Sequence, residues 1–304
     1  MENFILTLSF LLIGMGLRRL PRFPRETPQV LNLFVTHVSL PALVLLTVPA
    51  IVFSRELLVV LLMPWAMLSA SAAIVLVVAG QCRWPRDTVG ALLLLVPLGN
   101  TSFLGIPMVR AFFGEAGIAY AVFYDQAGSF LALATYGSMI IALYGGGEKP
   151  VPAAVLRRIL TFPPFLALVL ALAIRSLPVP SPLPALFSAL AATLVPTVMI
   201  AVGFQLNLRL SPEIMKPLAF GISVKLVLAP LLALTACHLL GLNSLAARVA
   251  VLEAGMPAMV SAGALAIMAG IAPQLSAALV GLGILLSFMT LPLLFQLINL
   301  LLAL

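Results

Sequence analysis

Three ionisable side chains, Asp125, Lys225 and Glu253, stand inside long apolar segments of the chain. A charge at the centre of a membrane costs roughly 2.5 to 3.5 kcal/mol, so residues of this kind mark ion or substrate pathways. Glu253 directly precedes Gly255 and Pro257, where its carboxylate could bind Na⁺ or exchange a proton. For Lys225 and Asp125 a purely structural role, the compensation of a neighbouring charge, stays open.

Two apolar segments carry proline and glycine where an uninterrupted helix would carry leucine. Residues 97–107 read Pro-Leu-Gly-Asn-Thr-Ser-Phe-Leu-Gly-Ile-Pro, and residues 253–257 read Glu-Ala-Gly-Met-Pro. Proline removes a helical hydrogen bond and glycine favours unwinding, so each helix should break near its middle. The second half of a broken helix begins with free N–H groups that suit a carboxylate, whereas unwound carbonyls suit a cation. Two ordinary proline kinks remain the alternative interpretation.

Polar side chains at these places add donors and acceptors. Asn100, Thr101 and Ser102 occupy the first break. His37 lies in another apolar segment and could titrate in the physiological range, although a lone membrane histidine is more often a hydrogen-bonding residue between helices.

Composition shows what kind of protein holds these residues. Apolar residues make up 63% of the 304 residues and charged residues 8%, and the mean hydropathy is +1.22. A soluble domain is about 25% charged, so a water-soluble enzyme is excluded. The sequence contains no Walker motif and no Ser/His/Asp or His/Cys/Asp set. We therefore predict a membrane protein that is not an enzyme and that needs no cofactor other than Na⁺ or H⁺ as a coupling ion.

Ten segments are apolar enough to cross a bilayer, which requires about 20 residues for a helix. They cover residues 3–17, 29–51, 57–80, 88–112, 117–144, 159–177, 183–206, 214–240, 246–270 and 274–303. The predicted fold is an all-α polytopic membrane protein. The first segment is expected to remain as the first membrane helix, because arginines follow its apolar run instead of preceding it.

The basic residues between the segments predict the orientation. Eleven lie in the odd-numbered connections and four in the even-numbered ones. By the positive-inside rule the odd connections face the cytoplasm, so both termini are external and the net charge of +7 does not indicate nucleic-acid binding. The eleven are Arg18, Arg19, Arg22, Arg25, Arg83, Arg86, Lys149, Arg157, Arg158, Arg209 and Lys216.

The ten segments divide into two sets of five, in residues 1–148 and 149–304. An odd number of spans in each half forces the second half to insert upside down, as in inverted-repeat transporters, whose substrate site lies where the halves meet. Segments 4 and 9, the two with breaks, occupy equivalent places in the halves. The repeat is inferred from this count and placement, because few identities accompany the match of Gly99 with Gly255 at a shift of 156.

Three motifs carry a resemblance to a known family. Residues 39–43 read Ser-Leu-Pro-Ala-Leu, and the two break segments accompany them. Together with ten spans, they resemble the auxin efflux carrier family in its short bacterial form. Plant members have a long loop between spans 5 and 6, where this chain has only residues 145–158.

The resemblance implies a fold similar to that of bile acid sodium symporters. Helices 4 and 9 would cross in a transport core of helices 3–5 and 8–10, beside a scaffold of helices 1, 2, 6 and 7 that often dimerises. It implies a homodimer in the bacterial inner membrane, in contact with lipid, that carries small organic anions. It also implies substrate-binding roles for Ser39, Pro41, Gly99, Asn100, Thr101, Ser102, Pro107, Gly255, Met256 and Pro257.

The first hypothesis is thus an elevator-type secondary transporter of small organic anions. Glu253, where bile acid symporters have a Na⁺-binding acidic segment, is its coupling-ion residue, with Asp125, Lys225 and His37 as further coupling residues. The alternative is a cation/proton antiporter on the same fold, in which Asp125 and Glu253 share a cation. A membrane-embedded transferase or hydrolase has no supporting motif.

Overall fold

The computed structural model describes residues 2–51, 55–145, 151–177, 180–206 and 211–302. Lys149 and Arg209, two of the predicted cytoplasmic cations, lie outside these ranges, as does the predicted boundary between the halves at residues 148 and 149. The regular structure within the ranges is helical. The helices are α1 (Glu2–Leu17), α2 (Thr27–Ala50), α3 (Leu57–Cys82), α4 (Arg86–Leu95), α5 (Thr101–Phe113), α6 (Glu115–Tyr144), α7 (Pro152–Leu160), α8 (Pro163–Ile174), α9 (Pro182–Gln205), α10 (Pro212–Leu239), α11 (Leu245–Ala254), α12 (Val260–Met268) and α13 (Pro273–Leu301).

Six of these helices, α2, α3, α6, α9, α10 and α13, are long and apolar enough to cross a membrane. The bent pair α7 and α8 makes a seventh candidate. The chain is therefore a helical, multi-pass integral membrane protein, as the composition predicts. The number is below the ten predicted segments because segments 4 and 9 are each divided into two short helices and α1 has only 16 residues.

Proline determines where many of the helices begin. The helices α2, α8, α9, α10 and α13 each have proline in the first turn. The fixed φ of proline suits this position, and its missing N–H would have no intrahelical partner there. The many prolines of the sequence thus mark helix starts as well as interruptions.

The helices group into two compact units. Unit 1 comprises Met1–Ser54, Ser102–Val122 and Leu156–Leu206, and unit 2 comprises Arg55–Thr101, Phe123–Val155 and Asn207–Leu304. Each unit therefore takes segments from both the first and the second half of the chain.

In unit 1, α1 packs along the second half of α9, and α2 packs against α8 and the first half of α9. Glycine allows the closest of these approaches. A Cβ atom on Gly14 would overlap the carbonyl oxygen of Ile200, and one on Gly203 would overlap the carbonyl oxygen of Leu11. Close backbone approach through small residues is how helices associate tightly where burial from water gives no driving force.

We expect Gly14→Ala to destabilise the protein, because the added methyl group meets backbone atoms of α9 that no rotamer change can move. Gly16 is the matched control, since it lies in the same helix with no atom within 4 Å of an added Cβ. Thermal unfolding in detergent should show a lower midpoint for Gly14→Ala and an unchanged one for Gly16→Ala. Equal unfolding midpoints for the two variants would contradict this prediction, because they would show that α1 can move away from α9 with no loss of stability.

In unit 2, α4 is surrounded by α3, α6, α10, α12 and α13. Its residues from Gly90 to Leu95 are all buried, as expected of a helix that is apolar on every side. The helix α3 packs against α6, where Gly128 lies directly opposite Pro64, and also against α11. Unit 2 therefore places the last turn of α4 and the last turn of α11 inside its packed interior.

Candidate functional site

The two interruptions of the helices meet inside unit 2. The fourth predicted segment is interrupted between Leu95 and Thr101, and the ninth between Ala254 and Val260. Gly99 pairs with Ala258 in an antiparallel bridge. The backbone N–H of Asn100 donates to the carbonyl of Pro257 at 2.8 Å, and that of Met259 donates to the carbonyl of Leu98 at 3.0 Å.

This pairing explains how unwound backbone is tolerated here. An unpaired backbone group costs several kcal/mol away from water. Residues 251–260 and 95–101 are all buried, so each extended segment supplies hydrogen bonds that the other has lost. The position of the breaks follows from the sequence, because proline and glycine stand at Pro97, Gly99, Gly255 and Pro257. Gly255 is also held by space, since a Cβ there would lie 2.6 Å from a methyl group of Leu294.

The first break carries a hydrogen-bonded polar cluster. Thr101 Oγ1 donates to Asp125 Oδ1 at 2.6 Å, and Gln126 Nε2 donates to Asp125 Oδ2 at 2.6 Å. Thr101 and Gln126 are fully buried, and Asp125 is 1% exposed. Both oxygens of the Asp125 carboxylate are thus held by neutral donors from the break and from its own helix, α6.

Three further groups at the breaks keep unused hydrogen-bonding capacity. Within the described residues, Asn100 Nδ2, Gln126 Oε1 and both carboxylate oxygens of Glu253 have no hydrogen-bond partner. Asn100 is 2% exposed and Glu253 is 1% exposed. A buried polar group without a partner is costly, so each is a candidate for binding something that the protein itself does not supply.

Lys225 brings the opposite charge to the same place. A Cβ atom on Gly99 would lie 3.2 Å from Lys225 Nζ, so the ammonium group lies against the backbone of the first break. Lys225 is 6% exposed. Asp125 and Lys225 are both near enough to Glu253 to interact with it electrostatically.

Glu253 and Lys225 line one cavity. The wall of this small cavity also includes Gly99, Thr101, Tyr124 and Ser129. A second small space, mainly apolar, also has Lys225 in its wall, together with Pro257, Ala258, Leu279 and Gly283. Lys225 therefore lies between a polar space next to Glu253 and an apolar space beside the second break.

The helices that carry this cluster are locally widened. Residues Thr101–Gly105, Tyr124–Phe130 and Val224–Leu228 form π-helical turns, which contain Thr101, Asp125 with Gln126, and Lys225. Such turns insert an additional residue into an α-helix and occur frequently at functional sites. Each widened turn here changes the direction of a side chain that the cluster uses.

The structure therefore brings together seven of the predicted residues in unit 2. These are Gly99, Asn100, Thr101, Asp125, Lys225, Glu253 and Pro257. Gln126 joins them and was missed by the sequence analysis, although a second polar residue after Asp125 in an apolar segment is a detectable signal. Gly255 and Met256 complete the turn between Glu253 and Pro257, where the N–H of Met256 donates to the Glu253 carbonyl at 3.1 Å.

The remaining predicted residues belong to unit 1. Ser39 is buried and shares a hydrogen bond of 2.7 Å with Thr193, and Pro41 follows it in α2. His37 is exposed, and its Nδ1 lies 3.0 Å from the carbonyl of Leu33 in the same helix. In α5, Pro107 is buried and Ser102 is half-buried.

Chemically, the cluster can hold charges of both signs. Carboxylate and amide oxygens at Glu253 and Gln126 suit a hard cation such as Na⁺. The ammonium of Lys225 and the amide N–H group of Asn100 suit a carboxylate. The cluster thus places two carboxylates and one ammonium group beside the two paired breaks.

Comparison with known proteins identifies the family of the chain. The model of the family described as membrane transport protein matches residues 1–295. An uncharacterized transporter of Methanothermobacter thermautotrophicus is 26% identical over 295 residues, which cover 96% of each chain. An uncharacterized transporter of Methanocaldococcus jannaschii is 26% identical over 273 residues, 84% of this chain and 85% of that one. The chain therefore belongs to the membrane transport protein family, which is the auxin efflux carrier family that its motifs resemble.

Proposed function

We propose that the protein is a secondary transporter of small organic anions such as carboxylates. The observation that carries this proposal is the pairing of Gly99 with Ala258, which joins two broken helices beside one ammonium group, that of Lys225. Asn100 Nδ2, which has no partner among the described residues, would donate to the same carboxylate. Thr101, Met256, Pro97 and Pro257 would shape the rest of the site, whereas the substrate-binding role of Ser102 stays a prediction.

The proposed architecture has ten spans in two inverted five-helix repeats. In it, α4 with α5 and α11 with α12 are the broken fourth and ninth spans. Unit 1 contains the predicted spans 1, 2, 6 and 7 together with the second half of span 4 and the start of span 5, and unit 2 contains spans 3, 8, 9 and 10 together with the first half of span 4 and most of span 5. A division of this kind supports an elevator mechanism, in which a transport core moves against a scaffold. A homodimer in the inner membrane, with external termini, belongs to the same proposal.

Coupling is proposed to act through Glu253. Its two carboxylate oxygens are buried and receive no hydrogen bond from the described residues, so a Na⁺ ion or a proton would satisfy them. Asp125 is already bound by Thr101 and Gln126, and we assign it the role of fixing the first break beside the ion. The role of His37 stays a prediction, because His37 belongs to unit 1 whereas these groups belong to unit 2.

A cation/proton antiporter is the second candidate. The observation that favours it is the number of free acceptors, since Gln126 Oε1 and both Glu253 oxygens lack partners within the described part of the chain. Such a site would bind a cation without any organic substrate. The ammonium of Lys225 at the first break argues for the anion transporter instead, because it would repel a second cation.

A binding screen distinguishes the two functions. We expect small carboxylates to raise the thermal stability of the purified protein, because a ligand at 100 times its Kd adds about 2.7 kcal/mol to the stability of the native state. Each carboxylate is tested with and without Na⁺ and at two pH values. Stabilisation by Na⁺ or acid alone, with no response to any carboxylate, would support the antiporter and overturn the anion assignment.

Asn100→Ala is the variant that locates the binding in this screen. A hydrogen bond to a charged group is worth about 1.5–3 kcal/mol, which corresponds to roughly 10- to 100-fold in affinity. At the same carboxylate concentration the stabilisation should therefore fall from about 2.7 kcal/mol to about 0.4–1.4 kcal/mol, while the unliganded protein unfolds at its normal temperature. Asn243→Ala, at an exposed position between α10 and α11, is the matched control and should bind normally. Normal binding by Asn100→Ala would remove Asn100 from the site.

A further inference from the structure

The short helix α7, before the bend that leads into α8, is strongly amphipathic. At 100° per residue, Val155, Leu156, Ile159 and Leu160 fall on one face of the helix, while Arg157 and Arg158 fall on the opposite face. Two arginines and a compact apolar stripe on so short a helix are typical of segments that lie along a membrane surface.

The apolar face of α7 is only partly covered by the described part of the protein, where Val155 and Ile159 are half-buried. None of its residues is buried. Leu156 is 55% exposed and Leu160 is 52% exposed. Removal of an aliphatic side chain from water is favourable, so an apolar stripe left in water would be unfavourable. Another medium therefore has to cover it.

The direction of α7 indicates which medium this is. The bend between α7 and α8 is 63°, and it occurs at Thr161 and Phe162, ahead of Pro163 and Pro164. The helix α8 continues as an apolar segment whose Ala167, Leu168 and Ala171 are buried. A segment with two arginines is disfavoured in the hydrocarbon core. The bend lets α7 leave the direction of α8, so that its arginines can reach lipid headgroups.

We propose that α7 is an interfacial helix that binds the surface of a membrane rich in anionic phospholipid. Its aliphatic face enters the boundary between headgroups and acyl chains, and Arg157 and Arg158 bind lipid phosphates. The positive-inside count places this segment at the cytoplasmic leaflet, where anionic lipids are concentrated. The boundary between units 1 and 2 falls between Val155 and Leu156, so the lipid would hold the chain where it passes from one unit to the other. This inference does not depend on the identity of the transported solute.

The test uses the full-length protein in vesicles, with an environment-sensitive fluorophore on a single introduced cysteine. Cys82 is exposed and is first changed to serine, whereas Cys237 is buried. Leu156→Cys reports on the apolar face and Ala154→Cys on the opposite face. In vesicles that contain phosphatidylglycerol, the fluorophore at residue 156 should be blue-shifted and quenched by a lipid-soluble quencher. The fluorophore at residue 154 should stay in water.

Charge variants then test the role of the arginines. One basic residue near an anionic surface contributes about fivefold to its attraction, so Arg157→Gln with Arg158→Gln should lower the ratio of membrane-bound to free α7 by up to about 30-fold. The double lysine variant should keep most of it. Arg19→Gln with Arg22→Gln removes two exposed cations elsewhere and should have no effect.

Two results would overturn the proposal. The first is a fluorophore at residue 156 that is shielded equally in neutral phosphatidylcholine vesicles and is unaffected by the arginine substitutions. The second is a fluorophore at residue 156 that is shielded in detergent in proportion to protein concentration. The second result would indicate that a second copy of the chain covers α7.

Discussion

Replacing Lys225 by methionine should reduce carboxylate transport by about 100-fold or more. Methionine keeps the length and apolar stem of the side chain but removes the ammonium group that lies against Gly99. Truncation of one partner of a buried charge pair in an interface costs about 2–5 kcal/mol of binding free energy, and about 3 kcal/mol, near the middle of this range, corresponds to roughly 150-fold in affinity. The two carboxylates of Glu253 and Asp125 would then repel an entering anion.

The matched control for this variant is Lys216→Met. Lys216 lies in the same helix, α10, but it is exposed near the start of that helix. It should transport at the normal rate, because an exposed charge contributes at most about 1 kcal/mol to any interaction. Transport and thermal stability are measured for both variants, so that loss of the fold is distinguished from loss of the site.

The double variant Lys225→Met with Glu253→Gln separates two roles of Lys225. If Lys225 serves only to compensate Glu253, removing both charges should restore stability and transport together. If Lys225 binds the carboxylate, stability should return and transport should not. We expect the second result. Recovery of transport in the double variant would contradict a substrate-binding role.

The positions of the two breaks could be predicted from the sequence alone. Pro97, Gly99, Gly255 and Pro257 stand in otherwise apolar segments, and local chemistry suffices to show that a helix is unlikely to continue there. The prediction of a helical membrane protein followed in the same way from composition. Both are properties of short stretches of chain or of the chain as a whole.

The contacts between the segments could not be predicted in this way. The bond from Thr101 to Asp125 joins α5 with α6, and Gln126 holds the same carboxylate from within α6. These contacts depend on the rotation of helices that are apolar on nearly every side. A pattern without an amphipathic period does not fix that rotation. Each π-helical turn adds one residue to the turn and so changes the rotation of the helix further. Packing therefore determines which side chains meet at the break.

The start of the sixth predicted segment shows a signal that the sequence contains but that the hydropathy pattern does not reveal. Residues 159–177 read as one apolar run, but α7 ends at Leu160 and α8 begins at Pro163. The residue before a proline is disfavoured in a helix, and two prolines in succession make a bend there. A hydropathy average does not detect such a bend, because its value does not depend on the direction of the backbone.

Replacing Glu253 by glutamine should remove the dependence of transport on the coupling ion. The substitution keeps the shape of the side chain and one acceptor oxygen, but it removes the charge that a Na⁺ ion or a proton would neutralise. Transport of the carboxylate by the variant should then have the same rate with and without a Na⁺ gradient, and with and without a pH gradient. The native protein should respond to one of the two gradients.

The physical reason is the burial of the Glu253 carboxylate without hydrogen-bond donors among the described residues. Both oxygens of Glu253 are buried and lack a donor among the residues that the structure describes, so the ionised form is costly unless a cation is present. Glutamine is neutral at all times and mimics the neutralised state. We therefore expect the variant to exchange substrate down its gradient but not to accumulate it.

Glu213→Gln is the control for this experiment. Glu213 is exposed at the start of α10 and should leave the coupling unchanged. The gradient that no longer affects transport by Glu253→Gln identifies the coupling ion. If Glu253→Gln still accumulates the carboxylate against its gradient, with the same response to Na⁺ and to pH as the native protein, the ion binds elsewhere. The carboxylate of Glu253 would then serve only to hold Lys225 beside the first break.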